Sequence, residues 1–181
     1  LNELMLLANR HNAAEIQAYI NEMKAFLQNP NEIVASGNLE IDSVLNFMLQ
    51  KAQKELKTAD IKVMLPEKIR HSFDINVLLG NLLENAIEAA AKTEEKYLGV
   101  HITQRRGILK VKIENSFESS CILCEKQQGK DTVLKTTKPD TEQHGIGLKN
   151  VKKIVEKYHG AMAVTTEESM FCVNLILYMA E

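Results

Sequence analysis

The chain has 181 residues, 45% of them hydrophobic, which suits one ordinary globular domain with a small appendage. A formal net charge of −2 argues against a dedicated nucleic-acid binder, which carries a basic excess. No stretch has the apolar length needed to cross a bilayer and none resembles a signal peptide, so direct membrane contact is not expected and a cytoplasmic setting is.

The first residue is Leu1 rather than methionine, which reads as a piece of a longer protein. Residues 1–8 carry an apolar helical pattern (Leu1, Leu4, Met5, Ala8), broken at Asn9-Arg10-His11-Asn12, where Asn12 suits the N-cap of a second helix. Residues 13–27 then set Ile16, Tyr19, Ile20, Met23, Phe26 and Leu27 at i, i+3, i+4, i+7 spacing. These pieces predict an antiparallel helical hairpin over residues 1–30, ended by the breaker cluster Gln28-Asn29-Pro30-Asn31. A two-helix hairpin cannot bury such a stripe by itself. A second copy of the chain is the expected cover, and packing against the chain's own second domain, residues 31–181, is the alternative.

Within that second domain an amphipathic helix is expected over residues 41–57, with Val44, Leu45, Met48, Leu49 and Ala52 inward. A short strand at 61–65 ends at Pro66, and a helix follows at 74–92 with Ser72 or Asp74 as its cap. Residues 100–104 and 108–115 alternate around Arg105-Arg106-Gly107, which reads as a β-hairpin. Residues 116–143 are long, polar and aperiodic, the signature of a functional lid or a disordered segment. His144-Gly145-Ile146-Gly147 opens a helix with Leu148, Val151, Ile154, Val155 and Tyr158 on one face, closed by His159-Gly160. A second hairpin joins 161–166 to 170–179 around Glu167-Glu168-Ser169. Helices followed by strands in antiparallel pairs, with the helices on one side, make an α+β fold of the two-layer α/β sandwich kind.

Two places carry chemistry. Asn81-Leu82-Leu83-Glu84-Asn85-Ala86-Ile87-Glu88 sets two asparagines one turn apart in an otherwise apolar helix. Leu78, Leu79, Leu82, Leu83, Ala86, Ile87 and Ala90 share a broad face, while Asn81, Asn85 and Glu88 share the other. Asparagine is a mediocre helix former, and its carbonyl is a hard neutral ligand suited to Mg²⁺ held together with phosphates. A solvated polar face is the plain alternative. Gly145-x-Gly147 at the start of a helix is the second place, since glycines and free N–H groups there admit a phosphate; a tight turn needs glycines too. It is not a dinucleotide fingerprint, because Asn150 stands where a third glycine belongs, and the chain has no P-loop. Cys121-x-x-Cys124 lacks a second pair at zinc-finger spacing, so with Cys172 it reads as reduced thiols more readily than as a metal site.

In order, these elements resemble the gyrase and histidine-kinase ATP-binding superfamily, and most nearly the histidine kinases of the peptide-quorum-sensing type. Leu79-Gly80-Asn81-Leu82-Leu83-Glu84-Asn85-Ala86-Ile87-Glu88-Ala89 and His144-Gly145-Ile146-Gly147-Leu148-Lys149-Asn150-Val151 carry the resemblance. Lys135-Thr136-Thr137-Lys138 resembles the lid of this branch, and Ser36-Gly37-Asn38 with Ile41-Asp42-Ser43-Val44-Leu45-Asn46 resembles the opening of its catalytic domain. The resemblance implies a histidine-kinase-type ATP-binding fold preceded by a dimerisation hairpin, with ATP and Mg²⁺ as cofactors. Asn85 would hold the Mg²⁺, and Asn81 would stand beside the phosphates. Gly145, Gly147 and Leu148 would let the lid backbone close over the phosphates, with Lys138 and His144 nearby.

Asn115 falls where relatives place an aspartate that recognises the adenine amino group; it retains an acceptor oxygen but loses the charge. Where superfamily hydrolases carry a glutamate base this chain has Asn81, which fits phosphoryl transfer to a nucleophile from elsewhere rather than ATP hydrolysis. Glu84 and Glu88 are the remaining carboxylates there, Glu84 reading as structural. The acceptor histidine of such kinases lies shortly before the segment matching Leu1-Asn2-Glu3-Leu4, so this piece is expected to bind ATP without phosphorylating itself. His11, His71, His101 and His159 read as surface residues. The implied partners are a second copy and a response regulator, and the whole protein would be anchored in the cell membrane. A non-catalytic nucleotide-binding or phosphotransfer scaffold, acting by protein contact, is the alternative.

Overall fold

Helical and alternating periodicities sort the chain from residue 32 onward into a layer of helices on a layer of strands. The structure, a computed structural model, describes residues 32–118, 122–123, 135–136 and 144–179. The expected N-terminal hairpin, Lys138, Cys121 and Cys124 lie outside the described residues. Among those described, the elements in chain order are α1 (Leu39–Glu55), β1 (Thr58–Met64), α2 (Ser72–Ala90), β2 (Tyr97–Arg105) and β3 (Ile108–Ser116). They continue with β4 (Ile122–Leu123), β5 (Lys135–Thr136), α3 (His144–Lys157), β6 (Ala161–Glu167) and β7 (Met170–Tyr178). Within the expected aperiodic stretch, the described residues include a short antiparallel pairing, Ile122 with Thr136 and Leu123 with Lys135.

The main sheet has five strands in the order β1-β2-β3-β7-β6. Two hairpins build most of it, β2 with β3 and β6 with β7, joined by the antiparallel pairing of β3 with β7. The β2–β3 turn has Arg106 at φ 49° and Gly107 at φ 71°. That pair of positive angles matches the twist of a two-residue hairpin. β1 departs from the expectation of antiparallel pairs: it lies parallel to β2, with Thr58 opposite Tyr97 and Met64 opposite Thr103. The cause is α2, which carries the chain back across the sheet so that β2 re-enters in β1's direction. The polar start of β1, Thr58-Ala59-Asp60, also hid its full length.

Alternate side chains of the strands form the floor of the core: Leu98, Val100 and Ile102 from β2, Leu109, Val111 and Ile113 from β3, and Val173, Leu175 and Leu177 from β7. Onto it α2 lays Ile75, Leu78, Leu79, Leu82, Leu83, Ala86, Ile87 and Ala90, all buried, the apolar face the periodicity assigns. α2 is the hub, packed on α1, α3, β2 and β3, while α3 also reaches β6 and β7. The Ser36-Gly37-Asn38 turn is pinned to the first turn of α1. The Asn38 side chain caps Ile41 N–H at 3.1 Å, and the buried Asp42 carboxylate accepts from Ser36 N, Ser36 Oγ and Gly37 N.

The start of α2 corrects a second expectation. Its N-cap is His71, in the left-handed region at φ 60° and with no side-chain cap bond. Both expected caps are engaged elsewhere. The Ser72 hydroxyl donates to Glu40, and Asp74 Oδ2 accepts from Tyr158 Oη and Lys157 Nζ, each at 2.6 Å. The Lys157 ammonium, and after it the Tyr158 hydroxyl, hold the Asp74 carboxyl below the usual aspartate range, while burial and then the bond to Asp74 push the Tyr158 phenol up.

At its other end α3 closes with His159 N–H on the Glu156 carbonyl at 3.0 Å and Gly160 N–H on the Val155 carbonyl at 2.8 Å. This is the paired closure of a Schellman motif, with His159 rather than the glycine taking the positive φ, at 49°. Gly160 is needed for space: a Cβ there would sit 2.2 Å from the Ile176 carbonyl oxygen and 2.9 Å from Leu177 Cδ2. Gly160→Ala is therefore expected to destabilise the fold by about 1–3 kcal/mol, as forced overpacking does, measured by chemical denaturation.

Asp74 gives a pH dependence with a defined sign. Folding lowers its pKa, so its stabilisation is complete above the unfolded value of about 3.9 and is lost as the pH falls through the lower folded value. Asp74→Asn is expected to cost about 1 kcal/mol near pH 7. Thermal melts should show the gap between wild type and variant narrowing below about pH 4.

Candidate functional site

The polar side of α2 meets the first turn of α3. Asn81 is half-buried, and its Nδ2 donates to the Val77 carbonyl one turn back at 2.6 Å. That bond commits the nitrogen to the helix and turns Oδ1 away from it. Oδ1 faces Gly147: a Cβ on Gly147 would lie 2.9 Å from Asn81 Oδ1 and 3.7 Å from Asn85 Nδ2. No β-carbon fits at the first distance, so the α3 backbone approaches the amide as closely as it does because position 147 is glycine. Asn85, one turn on, is exposed at the edge of the same contact.

α3 starts at His144, so Gly145 and Gly147 lie inside its first turn rather than before it. That turn carries no acidic residue, whereas α1 opens with Glu40 and Asp42 and α2 with Asp74. The positive end of the α3 dipole therefore has no local carboxylate and stands beside two neutral amides. Leu148 is half-buried in the next position and Lys149 is exposed. Of the nearby carboxylates, Glu84 points to solvent and Glu88 pairs with Lys92 at 2.9 Å in an i, i+4 bridge.

Asn115 is not among the atoms nearest a Cβ at Gly147. It is buried at the end of β3, and its Nδ2 donates to the Ser116 carbonyl at 2.9 Å, so the remaining Oδ1 has the character of an acceptor. The strand end is fastened to α2 by two residues the sequence reading passed over. Thr93 Oγ1 donates to the Ala90 carbonyl at 2.9 Å and shares a 2.7 Å bond with Ser116 Oγ, which also accepts from Tyr97 N. Neither residue has a local pattern; only the meeting of a helix end with a strand end gives them a role. The expected surface histidines differ among themselves. His71 and His159 are exposed, while His101 is half-buried and bonds Asp60 at 3.1 Å. Among the described residues no group of three His, Cys, Asp or Glu side chains could hold a metal ion, so a cation here would rely on amide oxygen and on oxygens brought by a ligand.

Known proteins are similar to this chain. The profile of the GHKL domain matches residues 71–178, from the first residue of the α2 cap to the end of β7. A probable C4-dicarboxylate sensor kinase of Halalkalibacterium halodurans is 29% identical over 135 residues, covering 70% of this chain; the chain spans about a quarter of that relative's length. Among solved structures, the nucleotide-free catalytic domain of the histidine kinase ThkA superposes with a TM-score of 0.55 at 21% identity, covering 80% of this chain and 93% of that one. The histidine kinase AdeS of Acinetobacter baumannii gives 0.52 at 16% identity, covering 98% and 85%. These two structures share the fold of this chain. With most of the chain matched by the domain profile, and the amide pair and glycine turn both inside it, the chain belongs to the GHKL domain family.

Proposed function

We propose that this chain is the ATP-binding and dimerisation core of a sensor histidine kinase, which presents Mg·ATP for phosphoryl transfer to a histidine supplied by another element of the kinase. The observation that carries the reading is the convergence of Asn81, Asn85 and Gly147 on one narrow space. A phosphate at the first turn of α3 would meet free backbone N–H groups and the positive end of the helix dipole. Asn85 would hold Mg²⁺ through its amide oxygen, and the bound ion would supply charge neutralisation for the transferring phosphoryl group. Asn81, its nitrogen tied to Val77, cannot take a proton from water, so the site positions a donor rather than activating a hydrolytic nucleophile. Asn115 would accept from the adenine amino group through Oδ1.

The peptide-quorum-sensing subtype is part of the same proposal. It rests on the two boxes around Asn81–Asn85 and Gly145–Gly147 and on Asn115 in place of an aspartate, rather than on the curated relative, whose name points to a C4-dicarboxylate sensor. Pairing with a second copy through residues 1–30, service to a response regulator and membrane anchoring of the whole kinase complete the reading.

Calorimetry with Mg·AMP-PNP tests it. Binding should require the metal, and Asn85→Ala should weaken it at least about tenfold, the cost of one lost metal ligand. Metal-independent binding, or no binding, would instead favour a scaffold acting by protein contact. A second titration checks the base end: Asn115→Asp should retain ATP affinity within about threefold, whereas Asn115→Leu should lower it about tenfold or more through loss of the acceptor. Equal affinities for the two variants would remove Asn115 from the site.

A further inference from the structure

The helices that carry the candidate site pack on one another, and of two polar contacts between them among the described residues one lies outside the site. At the first, Asn81 and Asn85 meet Gly147. At the second, Asp74 in the opening turn of α2 takes Tyr158 and Lys157 from the closing turns of α3. Asn81 lies about two helical turns beyond Asp74, and Gly147 about three turns before Tyr158. The helices therefore run antiparallel, fastened at both ends.

The second junction is stiff. Tyr158 is only 7% exposed, the His71 ring packs against its ring at 5.8 Å between centroids, and the Lys157 ammonium lies 5.5 Å from the same ring. Its hydroxyl is thereby aimed at a carboxylate that sits on the helix bearing both amides. The first junction is close: a Cβ at Gly147 would lie 2.9 Å from Asn81 Oδ1, the end of a side chain whose Nδ2 is held by the Val77 carbonyl. A small pivot of α3 about its packing on α2 would shift Gly147 by an amount comparable to the shift at Tyr158. Displacements of that size, about 1 Å, matter where a backbone must meet a ligand oxygen.

We propose that Tyr158, acting through Asp74, is a positioning residue for the phosphate end of the nucleotide: the clasp sets the rotation of α3 that seats Gly147 against Asn81 and Asn85. The proposal rests on the nucleotide reading above and adds a residue on the far side of the helix pair. The proposed adenine end, on β3 around Asn115, is fastened through Thr93 and Ser116 rather than through Asp74.

The test uses the full chain and Tyr158→Phe, which keeps the ring and deletes only the hydroxyl. Affinity for Mg·AMP-PNP should fall about five- to tenfold, the share of one hydrogen bond to a carboxylate, while affinity for adenosine stays within about twofold. Unchanged Mg·AMP-PNP affinity, or equal weakening of both ligands, would overturn the proposal by reducing the clasp to general stability. Hydrogen exchange without nucleotide reads the seating directly: amides of Gly147 to Asn150 should exchange faster in the variant, and identical exchange would also overturn it. Failure of the wild-type chain to bind Mg·AMP-PNP would sink the nucleotide reading and with it the ligand positioned, while the exchange result would still decide whether the clasp seats Gly147 against the amides.

Discussion

At Gly147 the α3 backbone comes so near the Asn81 amide that one added carbon would sit 2.9 Å from its oxygen, and most of the architecture serves to hold that separation. Two poor helix formers meet there. Glycine costs a helix about 1 kcal/mol relative to alanine, and asparagine competes for backbone groups. Neither residue belongs in a helix for its own sake. The deficit is carried by the opposite side of α2, where eight apolar residues are buried against β2, β3 and the neighbouring helices. A helix with so strong an apolar face can accept unfavourable residues on its polar one.

Side-chain hydrogen bonds do the fastening at the points where elements end. Asp42 gathers the turn ahead of α1, Thr93 and Ser116 join the end of α2 to the end of β3, and Asp74 joins the start of α2 to the end of α3. Each lies where backbone groups run out of helical or ladder partners. The arrangement braces α2 at both ends, and the amides lie between the braces.

How far the sequence could be read follows from the range of each interaction. The apolar face of α2 and the alternation of β2, β3, β6 and β7 are periodic, so Leu78 to Ala90 and both hairpins were legible within a few residues. The nearness of the asparagines to the glycine turn was legible only through resemblance, since nothing local links Asn81 to Gly147 across the intervening chain. The parallel placement of β1 escaped because pairing direction depends on the path of α2, not on the residues of the strand. Asp74 was misread as a cap for the same reason: its real partners, Lys157 and Tyr158, are distant in sequence, and Ser72 was drawn to Glu40. That His71 takes the cap position instead, in the left-handed region and without a side-chain cap bond, has no local signature.

The parallel pairing of β1 has a kinetic consequence. The hairpins of β2 with β3 and β6 with β7 need only short closures and can form early. β1 can pair only after the entire α2 crossover is in place, so its closure entropy must be met before any ladder bond rewards it. α1 packs only on α2 and β1 among the principal contacts of the described residues, so it consolidates at the same late stage. The β1 edge of the sheet, with α1 on it, is thus expected to assemble last within the described residues and to be the first to open locally.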